Sequence, residues 1–359
     1  MVNNKYWFPL LLVLLLFLID KVVLIPAVQS CCTQYRGNPF ESMANYDFKQ
    51  DAIVQAARES GRKIILNLGT SRSMGYYRTP TPEHIAVSQY LTDAERKTLS
   101  EYQIVNSSLP GASILSAYVR MAQWLDHGLK PDQIWVEISP FSFNKNSMWA
   151  SFELKHGVPA DFALRYLNRL PAEHSKTILT SRLFQVIRFR PGSADQSKSQ
   201  WENLFAEATR HLDQLPRGIP PYTGVEQGRE SKEQLLKYRY VSSEMERTMF
   251  QGYKMDPVYA RYLDLIRARA QEQGIALVFW KPASHPLWQS VLKRNDSATH
   301  WMTEWNRTVA RLKTPHSSYL DMDQEGLLHC RFFVDPVHIG NRCYPEMAVR
   351  TLQAGAAIP

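Results

Sequence analysis

Apolar and polar positions fall into blocks that read alternately as strands and helices. Lys63–Leu68 (KIILNL) is an apolar run of strand length that leads straight into Gly69-Thr70-Ser71. Residues 102–107 form a second run, followed by Leu109-Pro110-Gly111. Over residues 112–127, Ile114, Leu115, Tyr118, Val119, Ala122 and Leu125 recur at three- and four-residue spacing, the period of one helix face. Gly128 and Pro131 end that helix, and residues 134–138 (IWVEI) predict a third strand. Further on, residues 256–273 predict a helix closed by Gly274, residues 275–280 (IALVFW) a buried strand, residues 318–322 another strand, and residues 345–352 a short final helix. Such alternation implies right-handed crossovers and a mostly parallel sheet covered on both faces. Over about residues 145–255 the rhythm gives way to helical patches and a Pro-rich connector at residues 215–222, which predicts a largely helical insertion over one sheet edge.

One segment stands apart. Residues 6–19 (YWFPLLLVLLLFLI) carry no charge, Asp20-Lys21 interrupts, and VVLIPAV continues to Val28. Fourteen helical residues reach only about 21 Å, short of the roughly 30 Å hydrocarbon core, whereas residues 6–28 together would cross it. Lys21 could then snorkel to head groups and Asp20 pair with it or with a partner. The competing reading is a cleaved signal peptide with Lys5 as its basic start, yet Val28 and Ser30 fit the small-residue preference only loosely. Gln29 makes a poor lipoprotein signal ahead of Cys31. An Asp-Lys pair late in the apolar run suits neither cleaved form. The expectation is an uncleaved transmembrane helix over residues 1–30, followed by one α/β domain over residues 31–359 with its insertion.

Composition narrows the function classes. Apolar residues at 44% and charged residues at 21% exclude a disordered or collagen-like chain. A net charge of +8 invites a nucleic-acid reading, but no run of five like charges occurs and the bases are dispersed among acids. No nucleic-acid partner is expected. The four cysteines contain no C-x-x-C pair and the nearest two histidines, His329 and His338, are nine apart, so neither a metal site nor a cofactor is expected. Cys330 and Cys343 stand thirteen apart; in an oxidising periplasm they could bridge, and in the cytoplasm they would be buried thiols. Trp124, Trp135 and Trp149 read as core.

In a parallel α/β sheet, functional groups gather beyond the carboxyl ends of the strands. Gly69-Thr70-Ser71-Arg72-Ser73 occupies that place after the first strand, where Ser71 would begin a helix with amides nearby to hold an oxyanion. The same serine could simply cap that helix. Near the C-terminus, Asp335 and His338 in FFVDPVHIG are close enough for the carboxylate to orient one imidazole nitrogen and leave the other to accept a serine proton. Arg72 could contact an anionic substrate or be a solvated surface residue. Lys281 and His285, at the same sheet end as Ser71, could border the pocket.

These blocks resemble the first and last blocks of the SGNH (GDSL-like) hydrolase superfamily. With the Leu-Asp-Lys anchor, GTSRS, NSSLPGAS, VEISPFSF and WKPASHP, the resemblance is closest to an uncharacterised family of membrane-anchored SGNH-like proteins best known from leptospires, and it runs over nearly the whole chain. It implies a flavodoxin-like three-layer sandwich with Ser71 as nucleophile, His338 as base, Asp335 as its orienter and Gly111 as an oxyanion amide. Broader relatives cooperate with membrane-bound O-acyltransferases in alginate acetylation and teichoic-acid D-alanylation. Thr70 replaces the usual Asp before the nucleophile, and Glu137-Ile138-Ser139-Pro140 stands where Gly-x-Asn-Asp is usual. Asn106 or Asn144 would have to supply the missing amide, and loss of one such donor costs roughly 10²–10³ in rate. Two expectations follow. One is a periplasmic, membrane-tethered serine esterase or O-acyltransferase acting on an envelope glycan or lipid, with an acyltransferase partner. The other is an inactive envelope protein of the same fold that binds a glycan or a membrane partner. A nucleophile-elbow α/β-hydrolase fits less well, because position 73 is Ser where that motif needs Gly.

Overall fold

A computed structural model describes residues 7–22, 25, 50–77, 82–109, 111–146, 153–185, 187, 224–250, 252–299 and 301–358. The chain divides into two compact units: Gln50–Ser151 with Arg217–Pro359, and Met1–Lys49 with Phe152–Pro216.

The larger unit is a mixed α/β fold. Its strands are β1 (Lys63–Leu68), β2 (Tyr102–Asn106), β3 (Gln133–Glu137), β4 (Val225–Glu226), β5 (Ala276–Lys281), β6 (Ser317–Asp321) and β7 (Phe332–Phe333). Five of them form one sheet in the order β2-β1-β3-β5-β6, and every neighbouring pair is parallel. The order reverses direction between β1 and β3, the switch point at which doubly wound sheets open a crevice. Their composition explains their placement. Ile65, Leu66, Leu68, Ile134, Trp135, Val136 and Leu277–Trp280 are fully buried, as strands covered on both faces must be.

Helices supply the cover. The helix Ile114–Asp126 buries every residue from Ile114 to Trp124, is capped by the Ser113 hydroxyl accepting from Leu115 N, and gives way to Gly128 in a left-handed conformation. The helix Pro257–Glu272 is likewise capped by Asp256 accepting from Val258 N at 2.9 Å. The last helix, Tyr344–Ala356, packs on β5 and β6 and runs four residues past its predicted end at 352. In that added turn Gly355 lies flush on Gln133, a contact that apolar periodicity does not register.

The predicted insertion divides between the units. Its described helices Ala160–Tyr166 and Ala172–Leu183 belong to the smaller unit, whereas the helix Lys232–Phe250 packs on the helix Pro286–Thr299 in the larger. Just before Lys232–Phe250, β4 pairs antiparallel with β7, with Val225 opposite Phe333 and Glu226 opposite Phe332. Two-residue strands show no alternation, which is why this pairing is invisible in the sequence.

In the smaller unit the apolar segment forms the helix Trp7–Lys21, with Trp7 through Ile19 exposed. At fifteen residues it measures about 22 Å, and among the described residues no helix is long and apolar enough to cross a membrane. Asp20 and Lys21 are engaged within the unit: Asp20 Oδ2 accepts from Lys21 Nζ and from Gln185 N, both at 2.7 Å, and Lys21 also donates to the Leu183 carbonyl. Residues 23–24 and 26–49, with Val28, Cys31 and Cys32, lie outside the described residues, as does Trp149.

Candidate active site

The Ser71 turn is built by its neighbours. β1 ends at Leu68, and after Gly69 and Thr70 a 3-10 turn runs from Ser71 to Tyr77. Of Gly69–Ser73 only Ser71 is partly exposed. The reason lies on the adjacent strand: Leu68 pairs with Val136, so the next residue, Glu137, ends β3 directly beside the turn. Its carboxylate is completely buried and accepts from Thr70 N at 2.8 Å, Thr70 Oγ1 at 2.5 Å, Arg72 Nε at 3.0 Å and the Ser73 hydroxyl. A side chain at Gly69 would bring its Cβ to 2.7 Å from Glu137 Oε2 and closer still to Ser73 Oγ, so glycine is required for close approach.

From below, a buried amide network holds the same turn. Asn67 Nδ2 donates to Asn106 Oδ1 at 2.7 Å, Ser108 Oγ donates to that oxygen at 2.6 Å, and Asn106 Nδ2 donates to the Ser73 carbonyl at 3.1 Å. Asn106 therefore supports the turn and does not face outward as an oxyanion donor. Asn144 is also buried elsewhere, donating to the Met249 carbonyl and accepting from Asn146 N and Lys254 N. The chain after β2 stays beside the turn because Leu109 N donates to the Gly69 carbonyl at 2.8 Å. A tight bend closed by Ala112 N on the Leu109 carbonyl then places Gly111 at φ +68°, a conformation that favours glycine.

The other half of the site is a short closed loop. Gly340 N donates to the Phe332 carbonyl at 2.7 Å and Val334 N to the His338 carbonyl at 2.9 Å, so residues 334–338 bulge from the end of β7. Asp335 Oδ1 accepts from Val337 N at 2.8 Å and His338 N at 2.9 Å, the local bonding that makes Asp a turn residue. Its second oxygen is thereby aimed at His338 Nδ1, 2.7 Å away. An ionised carboxylate only accepts, so Nδ1 carries the proton and Nε2, 2.9 Å from Ser71 Oγ, is the acceptor for the serine hydroxyl. The three side chains form one continuous chain of hydrogen bonds from two ends of the sequence.

Electrostatics follow from that contact. Burial alone favours neutral His338, but the charge and hydrogen bond of Asp335 outweigh it and hold the imidazole above its ordinary value. Burial likewise disfavours the Asp335 carboxylate, yet His338 and the two backbone amides hold it below the usual range. Tyr344 joins the halves: its hydroxyl donates to the Arg72 carbonyl at 2.6 Å. The Tyr344 ring lies so close to Gly75 that an added Cβ would stand 2.7 Å or less from three of its carbons. That ring is buried and anchored, so Gly75→Ala is expected to cost about 3 kcal/mol in chemical denaturation. Unchanged stability would show that the ring has room to move.

A family model described as "Protein of unknown function (DUF1574)" matches residues 1–353. The chain belongs to this family. No curated protein matches it. The DUF1574 match spans both units, the apolar N-terminal helix and the loop carrying Asp335 and His338.

Three predicted site residues of this DUF1574 chain are each held by acidic partners. Arg72 is not a solvated surface residue: its side chain is 6% exposed, paired with Glu137 at 2.7 Å and stacked over Phe141 at 4.5 Å. Lys281 is held between Asp321 and Asp323 at 2.7 and 2.6 Å. His285 is buried too; its Nε2 donates to Glu230 at 3.0 Å and its backbone N–H donates to the Pro336 carbonyl at 2.9 Å, so it braces the 334–338 loop from behind. Cys330 and Cys343 form a disulfide that brackets this loop. Among the described residues no group of His, Cys, Asp and Glu side chains is arranged to hold a metal ion. Glu137, which the sequence marks only as a departure from Gly-x-Asn-Asp, is the residue to which sequence reasoning assigns no role. Its signal is a lone acid ending an otherwise apolar strand, with Arg72 two residues beyond a strand-end glycine-threonine pair.

Proposed function

We propose that this chain is an SGNH-like serine esterase or O-acyltransferase that works through an acyl-Ser71 intermediate on a cell-envelope glycan or lipid. The carrying observation is the chain Ser71 Oγ to His338 Nε2 to Asp335, at 2.9 and 2.7 Å. His338 takes the serine proton as Oγ attacks an ester carbonyl, Asp335 steadies the imidazolium, and His338 returns the proton to the leaving alcohol. A water or a second hydroxyl then repeats the attack, with His338 again as base, giving hydrolysis or transfer. Amides at the start of the Ser71 turn and at Gly111 are the oxyanion donors in this reading. The doubly wound strand order supports the flavodoxin-like SGNH sandwich, and the exposed apolar helix Trp7–Lys21 supports a membrane tether; a periplasmic larger unit and a membrane-bound O-acyltransferase partner belong to the same proposal.

A fluorophosphonate probe tests this. Labelling of the full-length protein is expected, with loss of at least about 10³-fold in rate for Ser71→Ala and His338→Ala. Absence of labelling in the folded wild type would favour the second reading, a non-catalytic envelope protein that binds a glycan or a membrane partner. One observation favours that alternative: neither Asn106 nor Asn144 presents its amide as an oxyanion donor.

A further inference from the structure

We propose that Glu137 is a positioning residue for Ser71: with Arg72 it forms a buried charge pair that clamps residues 70–73 and leaves the Ser71 hydroxyl directed at His338. The inference rests on the acyl-serine reading and adds a residue from outside the Ser71–His338–Asp335 chain.

The pattern of bonds carries it. Glu137 accepts from Thr70, Arg72 and Ser73, every neighbour of Ser71 in that stretch, and from Ser71 itself not at all. A carboxylate with no exposed surface is tolerated in a protein interior only when paired and hydrogen-bonded, and this one is both. Its charge answers Arg72, whose guanidinium lies over Phe141 and whose carbonyl accepts from Tyr344, the first residue of the helix that follows the His338 loop. The clamp thus ties the serine turn to β3 and, through Arg72 and Tyr344, to the element following the histidine loop. Gly69 is the complementary evidence, since any Cβ there would intrude on Glu137 and Ser73. With the pair broken, the uncompensated guanidinium must shift, and the turn with it. Displacement of a nucleophile by about 1 Å costs on the order of 10²-fold in rate.

The pair also leaves a charge-specific signature that mere structural support would not. The charged groups acting on His338 are Asp335, Arg72 and Glu137; Arg72 disfavours the imidazolium and Glu137 favours it. Removing Glu137 alone must lower the midpoint at which His338 becomes a base, and removing Arg72 as well must raise it again.

The experiment measures the second-order rate of fluorophosphonate labelling at Ser71 of the full-length protein over about pH 5 to 9, for wild type, Glu137→Gln and the double variant Glu137→Met/Arg72→Met. Expected are a rate about 100-fold lower in Glu137→Gln with its midpoint moved to lower pH, and a double variant whose midpoint lies above that of Glu137→Gln while its rate remains at least about tenfold slow. A Glu137→Gln protein that labels within about threefold of wild type at an unmoved midpoint overturns the inference. Should that variant fail to fold by circular dichroism, the double variant decides alone: slow labelling supports the clamp, and wild-type labelling overturns it. Wild-type protein that never labels removes the acyl-serine reading and the clamp together, whereas normal labelling in every variant removes the clamp only.

Discussion

Asp335→Asn is expected to slow acylation of Ser71 about 10³–10⁴-fold while the protein remains folded. The substituted side chain would keep its size but present an amide where His338 Nδ1–H now finds an acceptor at 2.7 Å. The imidazole would then favour the tautomer whose Nε2 carries the proton, which cannot accept from Ser71. The pH profile gives an independent check. Wild-type activity requires neutral His338, and because Asp335 raises its titration, the rate must climb with a midpoint above about 6.5. Without the Asp335 charge, burial and Arg72 act against the imidazolium and only Glu137 supports it, so the midpoint moves down. The sign for stability is separate. The bonus from protonated His338 is complete below about 6.5 and disappears as pH rises through its raised folded value, whereas the Asp335 bonus is complete above about 3.9 and disappears as pH falls through its lowered one. Probe kinetics against pH for wild type and Asp335→Asn measure both rate and midpoint. An Asp335→Asn enzyme with wild-type rate and midpoint would show that His338 needs no orienter.

Removing the Cys330–Cys343 bridge is expected to cost about 3 kcal/mol, the loop-entropy value for a separation of thirteen residues. That corresponds to a fall in Tm of roughly 6–10 °C for a unit of this size. The loop should keep most of its local shape, because other bonds hold both ends. Glu346, fully buried, accepts from His329 N at 2.9 Å and Cys330 N at 2.8 Å, and Cys343 N donates to the Gly340 carbonyl at 3.0 Å. Thermal melts of Cys330→Ser/Cys343→Ser, and of wild type with and without reductant, provide the measurement. Equal Tm values in all three would show that the bridge contributes nothing to the native fold.

Much of this architecture is legible in the chain itself. The runs at 63–68, 134–138 and 275–280 are apolar almost throughout, as the strands of a parallel sheet buried on both faces are. The helix Ile114–Asp126 declares itself by period and by its glycine stop, to within two residues of its predicted start and one of its end. Asp335 and His338 are legible as a pair because a loop confines side chains three apart to one another's reach. Arg72, Lys281 and His285 illustrate the opposite case. Each is a polar residue next to a strand end, and nothing local says whether its partner is solvent, a ligand or an acid from a distant strand. The answers, Glu137, the Asp321 and Asp323 pair, and Glu230, come from elements 65, 40 and 55 residues away or thereabouts.

By itself, then, the sequence determines the alternation of elements, the parallel sheet, and the two short segments in which a serine and an Asp-His pair stand at strand ends. These are properties of hydrophobic period and of neighbours within a few residues, which each segment carries alone. Only the tertiary structure decides that Ser71 meets His338 across 267 positions of chain, that β4 pairs with β7 beside that loop, and that a buried acid at the end of β3 holds the serine turn. Those contacts depend on strand order and register, because placing β1 beside β3 is what puts Glu137 against residues 70–73, and no local pattern encodes which strands become neighbours.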